Sequence, residues 1–360
     1  MKHSHLLRRT ALLCLGLATS AALAADATPQ RWLPRHPGPM RTDATLHAIH
    51  LPQAHSGPTT VAVAPDGRIW FTEGSGDRIG RMNPDGTGLA EFPLPHAGSA
   101  PRIIALGADG NMWFSEHLGN RMGRITPEGV ISEFDIPTPA SQPRAIALGQ
   151  DGNIWFGMFA GGRIGRITPQ GVITEFTPPT ANSGPRALAI GADGNVWFSE
   201  YRANRIGRLT PQGVFTEFPL PRPNSGPGDI TAGPDGTLWF VELSGGMDGA
   251  ATDGNRVGRI TLDGKVTEYA MPSQGTSPIN IALGPDHNLW YTRGAVAGRV
   301  TPTGVVTEFP LGADSRTAGL SAGADRRPAS HRPGARLVNR LWFADGGDNA
   351  VSYFEFEPER

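Results

Sequence analysis

Apolar and polar positions alternate over short runs along most of this chain, and the runs return at a fixed interval. In NVWFSE, residues 195–200, a period of two places Val196, Phe198 and Glu200 on one face of a strand, with Trp197 and Ser199 on the other. The central aromatic pair recurs as Trp70-Phe71, Trp113-Phe114, Trp155-Phe156, Trp197-Phe198, Trp239-Phe240, Trp290-Tyr291 and Trp342-Phe343. Successive copies lie 43, 42, 42, 42, 51 and 52 residues apart, and the two long intervals hold the extra segments SGGMDGAATDG (244–254) and RRPASHRPGARLV (326–338).

Each copy reads as four short strands. In the fourth they are PRALAIGADG, NVWFSEYR, NRIGRLTPQG and VFTEFPLP, separated by Asp-Gly, Ala-Asn and Gln-Gly turns of the kind that close hairpins. Four antiparallel strands in about 40 residues, repeated seven times, predict an all-β chain folded as a seven-bladed β-propeller. The seventh copy ends at NAVSYFEF (349–356) without its fourth strand, whereas ATLHAIHLP (44–52) precedes the first copy and matches the missing piece. The N-terminal strand should therefore complete the last blade, which removes free sheet edges.

Composition agrees with many strands and turns: Gly 48 and Pro 33 in 360 residues, 8% aromatic and 38% hydrophobic. The net charge is -1, and lysine occurs only at Lys2 and Lys265, so no basic patch argues for a nucleic-acid partner. Residues 1–24 carry Lys2, Arg8 and Arg9, then the apolar run ALLCLGLATSAALA, and read as a secretory signal cleaved before Ala25. A lipid anchor at Cys14 is the minor alternative. Residues 25–43 read as a flexible lead, 44–360 as the propeller, and no segment is a membrane span. A periplasmic or secreted monomer is expected. Without Cys14 the mature chain has no cysteine, which excludes disulfides, thiolate metal sites and a cysteine nucleophile.

Residues present in nearly every copy serve the blade. The Gly-Arg arginines (Arg81, Arg124, Arg166, Arg208, Arg259, Arg299) and the glutamates of the following strand (Glu91, Glu133, Glu175, Glu217, Glu268, Glu308) are expected to form cross-strand or inter-blade ion pairs. Function is expected where copies differ, at the mouth of the central channel. Three residues after each Trp stand Glu73, Glu116, Met158, Glu200, Glu242, Arg293 and Asp345. One residue after the inner-strand proline stand Thr59, Arg102, Arg144, Arg186, Gly228 and Ile279, with Ala318 in the last copy.

These two series predict a mouth where an arc of Arg102, Arg144 and Arg186, with Arg293, holds a carboxylate or phosphate by bidentate contacts. Beside them Glu200 and Glu242 are candidate bases, and His117 and Tyr201, each following such an acid, are candidates for proton transfer. The bland alternative is that Arg102 with Glu116, and Arg186 with Glu200, are ion pairs filling the channel.

The repeat text PxxIALGxDGNxWFxE…NRIGRITPxGxxTEFPLP, from about Thr45 to Phe356, resembles the virginiamycin B lyases, streptogramin lyases that open the cyclic ester of streptogramin B antibiotics. The resemblance implies a metal-dependent elimination. It places histidines after the inner-strand prolines of blades 6 and 7, a glutamate before the blade 7 proline, and another four residues after the last Trp. Those positions hold Ile279, then Arg316, Thr317 and Ala318, and finally Gly346 in this chain, and His331 lies in the blade 7 insertion. Propellers of similar outline hold calcium-like ions and hydrolyse lactones. By that likeness Glu73, Glu242, Asp229 and Asn280 are candidate oxygen ligands for Mg or Ca. Two classes stay open: a lyase or lactone hydrolase, and a binding module for an anionic small molecule, glycan or peptide.

Overall fold

A computed structural model describes residues 44–243, 255–272, 277–311, 317–328 and 337–356. The expected signal and lead, the 244–254 insertion and His331 lie outside the described residues. Seven four-stranded antiparallel sheets follow one another along the chain. Blade 4 is typical, with strands Pro185–Ile190, Val196–Glu200, Arg205–Leu209 and Phe215–Pro219 paired in chain order. In blade 7 the order is Ala44–His50, Ala350–Phe356, Leu337–Asp345 and Thr317–Pro328, with Ala44 opposite Phe356 and His50 opposite Ala350. The N-terminal strand closes the ring as the repeat required. Inner strands neighbour one another from blade to blade, the first also touching the last. No helix among the described residues is long and apolar enough to cross a membrane.

The second strand of blades 1–6 is buried at all five positions, because both faces of a blade pack on neighbours. Each Trp of the repeat is at most 1% exposed, and burying a large aromatic contributes on the order of 2–3 kcal/mol. In blades 2 and 4 the Asp-Gly turn locates it: Trp113 Nε1 donates to Asp109 at 3.1 Å and Trp197 Nε1 to Asp193 at 3.1 Å. Gly110 and Gly194 close these turns at φ 76°, a conformation glycine adopts without penalty. The next aromatic explains the Gly of Gly-Arg. A Cβ on Gly80 would lie 2.2 Å from the Phe71 ring, so only glycine lets that ring cross the third strand.

The arginine–glutamate pairing differs from expectation, and register gives the reason. Arg81 faces Ala90 while Glu91 faces Gly80, so Glu91 shares its sheet face with Arg78, two residues from Gly80. The ion pairs accordingly join Arg163 to Glu175 and Arg205 to Glu217, each at 2.9 Å, with Arg78 3.8 Å from Glu91 and Arg121 3.6 Å from Glu133. The Gly-Arg arginines stack instead. Arg124 lies 5.5 Å from the centres of both the Trp113 and Phe134 rings and donates at 2.8 Å to the Pro169 carbonyl of the next blade.

Candidate functional site

The inner strands of blades 2–5 begin with an irregular register that opens a cavity at this end of the channel. Pairing with the second strand lapses between Pro101 and Ile104, Pro143 and Ala145, Pro185 and Leu188, and Pro227 and Ile230. The residues released are Arg102, Arg144, Arg186 and Asp229, since a bulge frees a side chain from the sheet's own alternation. The freed amides are capped. Ser115 Oγ accepts from Ile103 N at 3.2 Å and Ser199 Oγ from Ala187 N at 3.1 Å, which is what the Ser of WFSE does. Blade 5 has Val241 there, and Asp229 takes over: its carboxylate accepts from Ile230 N and from Ile281 N of blade 6, both at 3.0 Å.

The cavity encloses about 90 Å³ and is lined by the three arginines, Asp229, Ile279 and Asn280 together with apolar inner-strand positions. None of the three arginines forms an ion pair or a side-chain hydrogen bond among the described residues. Burial, then repulsion from Arg186 and Arg102, pushes Arg144 down to about 8, and burial with Arg186 pushes Arg102 down to about 10. Burial also lowers Arg186. Asp229 is pushed up to about 6 by burial, against its two backbone amides and the nearby Arg186 and Arg144. Asn280 Nδ2 is a buried donor without an acceptor among the described residues.

Aromatic rings hold the arc. The Arg144 guanidinium lies 5.5 Å from the Phe159 ring centre, Arg202 lies 4.6 Å from the same ring, and Arg186 lies 5.4 Å from the Tyr201 ring. Phe159 and Tyr201 are tilted neighbours, with centres 6.2 Å apart. His117 meets the Pro143 carbonyl at 3.3 Å; a carbonyl only accepts, so Nδ1 carries the proton. Burial and the charges of Arg102 and Arg144 push this imidazole down, which keeps it neutral near pH 7. Phe159 escaped sequence reasoning because it follows Met158 rather than an acid. Its signal was position: His117, Phe159 and Tyr201 each stand four residues after a repeat Trp.

The acids three residues after Trp do not face this mouth. Glu73, Glu116, Glu200 and Glu242 are 0% exposed inside their blades, each directly opposite an arginine of the third strand. Arg78 reaches Glu73 at 2.8 Å, and Arg121 reaches Glu116 at 2.8 Å while also donating to Ser99 at 2.9 Å. Blades 4 and 5 depart from this. Arg205 goes to Glu217, and neither oxygen of Glu200 or Glu242 completes a hydrogen bond among the described residues. Burial pushes Glu200 up to about 7, opposed by the nearby Ser183 hydroxyl and Arg205, and burial with Glu268 pushes Glu242 up to about 8. Arg293 is also interior, 2% exposed and 3.5 Å from Glu308. The expected pairs Arg102–Glu116 and Arg186–Glu200 do not form: Glu116 pairs with Arg121 of its own blade's third strand, and Glu200 lies buried within blade 4, opposite Arg205 in register.

The residues present do not fit a divalent cation at the mouth. Of the four candidate ligands, only Asp229 and Asn280 line the cavity, while Glu73 and Glu242 stay within blades 1 and 5. No group of three or more His, Cys, Asp or Glu side chains comes together among the described residues. A hard cation needs several oxygen ligands, and here three guanidiniums stand around one carboxylate. At the positions where the family resemblance implies histidines and glutamates, Ile279 lines the cavity, Thr317 and Ala318 lie on the blade 7 inner strand, and Gly346 follows Asp345. Arg316 lies outside the described residues.

No curated protein matches the chain. Among solved structures it is similar to a catalytically inactive histidine-to-alanine variant of the virginiamycin B lyase from Staphylococcus aureus, solved with quinupristin. The identity is 34% over 87% of this chain and 100% of that one, at a TM-score of 0.77. It is similar to a streptogramin B lyase at 30% identity, over 87% of this chain and 98% of that one, with a TM-score of 0.77. The hydrazine synthase of Kuenenia stuttgartiensis, 13% identical over 86% of this chain and 99% of that one with a TM-score of 0.65, shares the fold alone. The profile of the virginiamycin B lyase family matches residues 34–248 and 178–351, so this seven-bladed propeller belongs to the virginiamycin B lyase family.

Proposed function

We propose that the protein uses its channel mouth to bind an anionic group of a small molecule, glycan or peptide, through Arg102, Arg144 and Arg186. The observation that carries this reading is three guanidiniums, freed by strand bulges into one cavity, with Asp229 as the single carboxylate among the lining residues. A guanidinium keeps its proton, so the burial and the repulsion from Arg186 and Arg102 that depress Arg144 are relieved by a counter-anion rather than by deprotonation. Aromatic support on Arg144 and Arg186 keeps the arc extended, which lowers the ordering cost of binding.

Family membership favours a second reading, a lyase acting on a cyclic ester. In this chain neutral His117, through Nε2, and Tyr201 stand beside the cavity as groups able to move a proton, and the Asp229 carboxylate lines it. Two assays separate the readings. Calorimetric titration with carboxylate- and phosphate-bearing small molecules should give binding that Arg144→Ala weakens about 100-fold, as expected when a charge-assisted bidentate contact is lost, at an unchanged melting temperature. Incubation with quinupristin and Mg should leave its ring closed. An unchanged affinity in Arg144→Ala would sink the anion reading, and ring opening lost in His117→Ala would establish the lyase reading.

A further inference from the structure

The charge balance at the mouth narrows the class of anion, an inference that rests on the anion reading proposed for this site. Arg102, Arg144 and Arg186 come from three adjacent blades and converge on one cavity of about 90 Å³. Against them stands Asp229, whose carboxylate is already engaged by the Ile230 and Ile281 amides. Three guanidinium charges facing one carboxylate leave two positive charges unbalanced. The remaining wall adds no anion among the described residues: Ile279 is apolar, Asn280 contributes an unpartnered buried amide donor, and His117 is kept neutral.

We infer that the group this cavity accepts is a compact dianion, a phosphomonoester or the paired carboxylates of a short dicarboxylic acid. A monoanion would leave one buried positive charge without a partner, and a buried unpaired charge is costly. Three forks approaching from separate blades also suit a head group with three or four acceptor oxygens better than a lone carboxylate with two. The rest of the ligand would leave past Phe159 and Tyr201, the half-buried rings flanking Arg144 and Arg186.

Calorimetry on the full chain at pH 8 and constant ionic strength tests this with methyl phosphate, succinate and acetate as probes. Methyl phosphate is a dianion there, since its second pKa lies near 6. At least one dianion should bind about tenfold or more tightly than acetate, and the stronger of the two assigns phosphate or dicarboxylate chemistry. Arg102→Gln should shrink the dianion-to-acetate ratio toward one, with the melting temperature showing that the variant is folded. Should Arg102→Gln fail to fold, the wild-type ratio decides alone. Acetate binding as tightly as both dianions, or a ratio unmoved in folded Arg102→Gln, would overturn the dianion inference while leaving the anion reading intact. Binding of none of the three probes would overturn both.

Discussion

The blade interiors and the channel mouth both bury charge, and they treat it in opposite ways. Inside blades 1 and 2 every glutamate of the second strand meets an arginine, Glu73 with Arg78 and Glu116 with Arg121, with a serine hydroxyl alongside. At the mouth, three arginines share one carboxylate and no cross-strand partner. Register produces the difference. A residue inside a regular antiparallel pair has a fixed opposite number, and evolution can match its charge. A residue released by a bulge has none, so its charge is left for something outside the chain to balance. Charge matched within a blade serves the fold, and charge left unmatched in a shared cavity is what the proposed anion would balance.

The strongest way to break this contrast is to unmatch an interior pair. Arg121→Met should leave Glu116 buried and alone, destabilising the protein by about 3 kcal/mol at pH 8, less toward pH 5 as Glu116 takes up a proton. Denaturant unfolding at both pH values checks this, and anion affinity of the folded fraction should not move. A smaller effect is expected in blade 4, where the pair is already broken. Burial raises the Glu200 carboxyl from its ordinary 4.5 to about 7, so the folded chain holds that proton more tightly than the unfolded chain does. Its stabilisation is complete below about pH 4.5 and is lost as pH rises through about 7. Glu200→Gln should therefore raise the melting temperature by about 3 °C at pH 8.5 and change little at pH 4.5. The smallest effect sharpens the mouth side: Phe159→Ala removes the ring beneath Arg144 and should weaken anion binding about fivefold, the loss of roughly 1 kcal/mol of cation–π support, without altering the pH profile of stability.

Much of this was legible in the chain. The repeat period, four strands per blade and the closing strand all follow from the spacing of the aromatic pair and the truncated seventh copy. The three mouth arginines were legible too, because they occupy one repeat position and differ there from Thr59, Gly228 and Ile279. The acids were legible as a series but not as to place. Period-two alternation assigns Glu200 to a face, yet both faces of a second strand are buried, so alternation alone cannot separate blade interior from channel. Asp229 was visible as a carboxylate without its setting, since its neighbours from blades 3, 4 and 6 lie far away in sequence.

By itself, then, the sequence determined the local, repeated part of this protein: hairpins set by turn glycines, strands set by alternation, and a ring set by a period counted seven times. Those features depend on contacts within a few tens of residues, and each copy restates them. Only the tertiary structure decided which charges meet. Pairing depends on register, bulges and the convergence of separate blades, where a shift of one residue moves a side chain from a matched interior to the shared mouth. That is why Arg121 and Arg144, alike as letters in a repeat, end in opposite settings, one paired with Glu116 and the other lining the shared cavity.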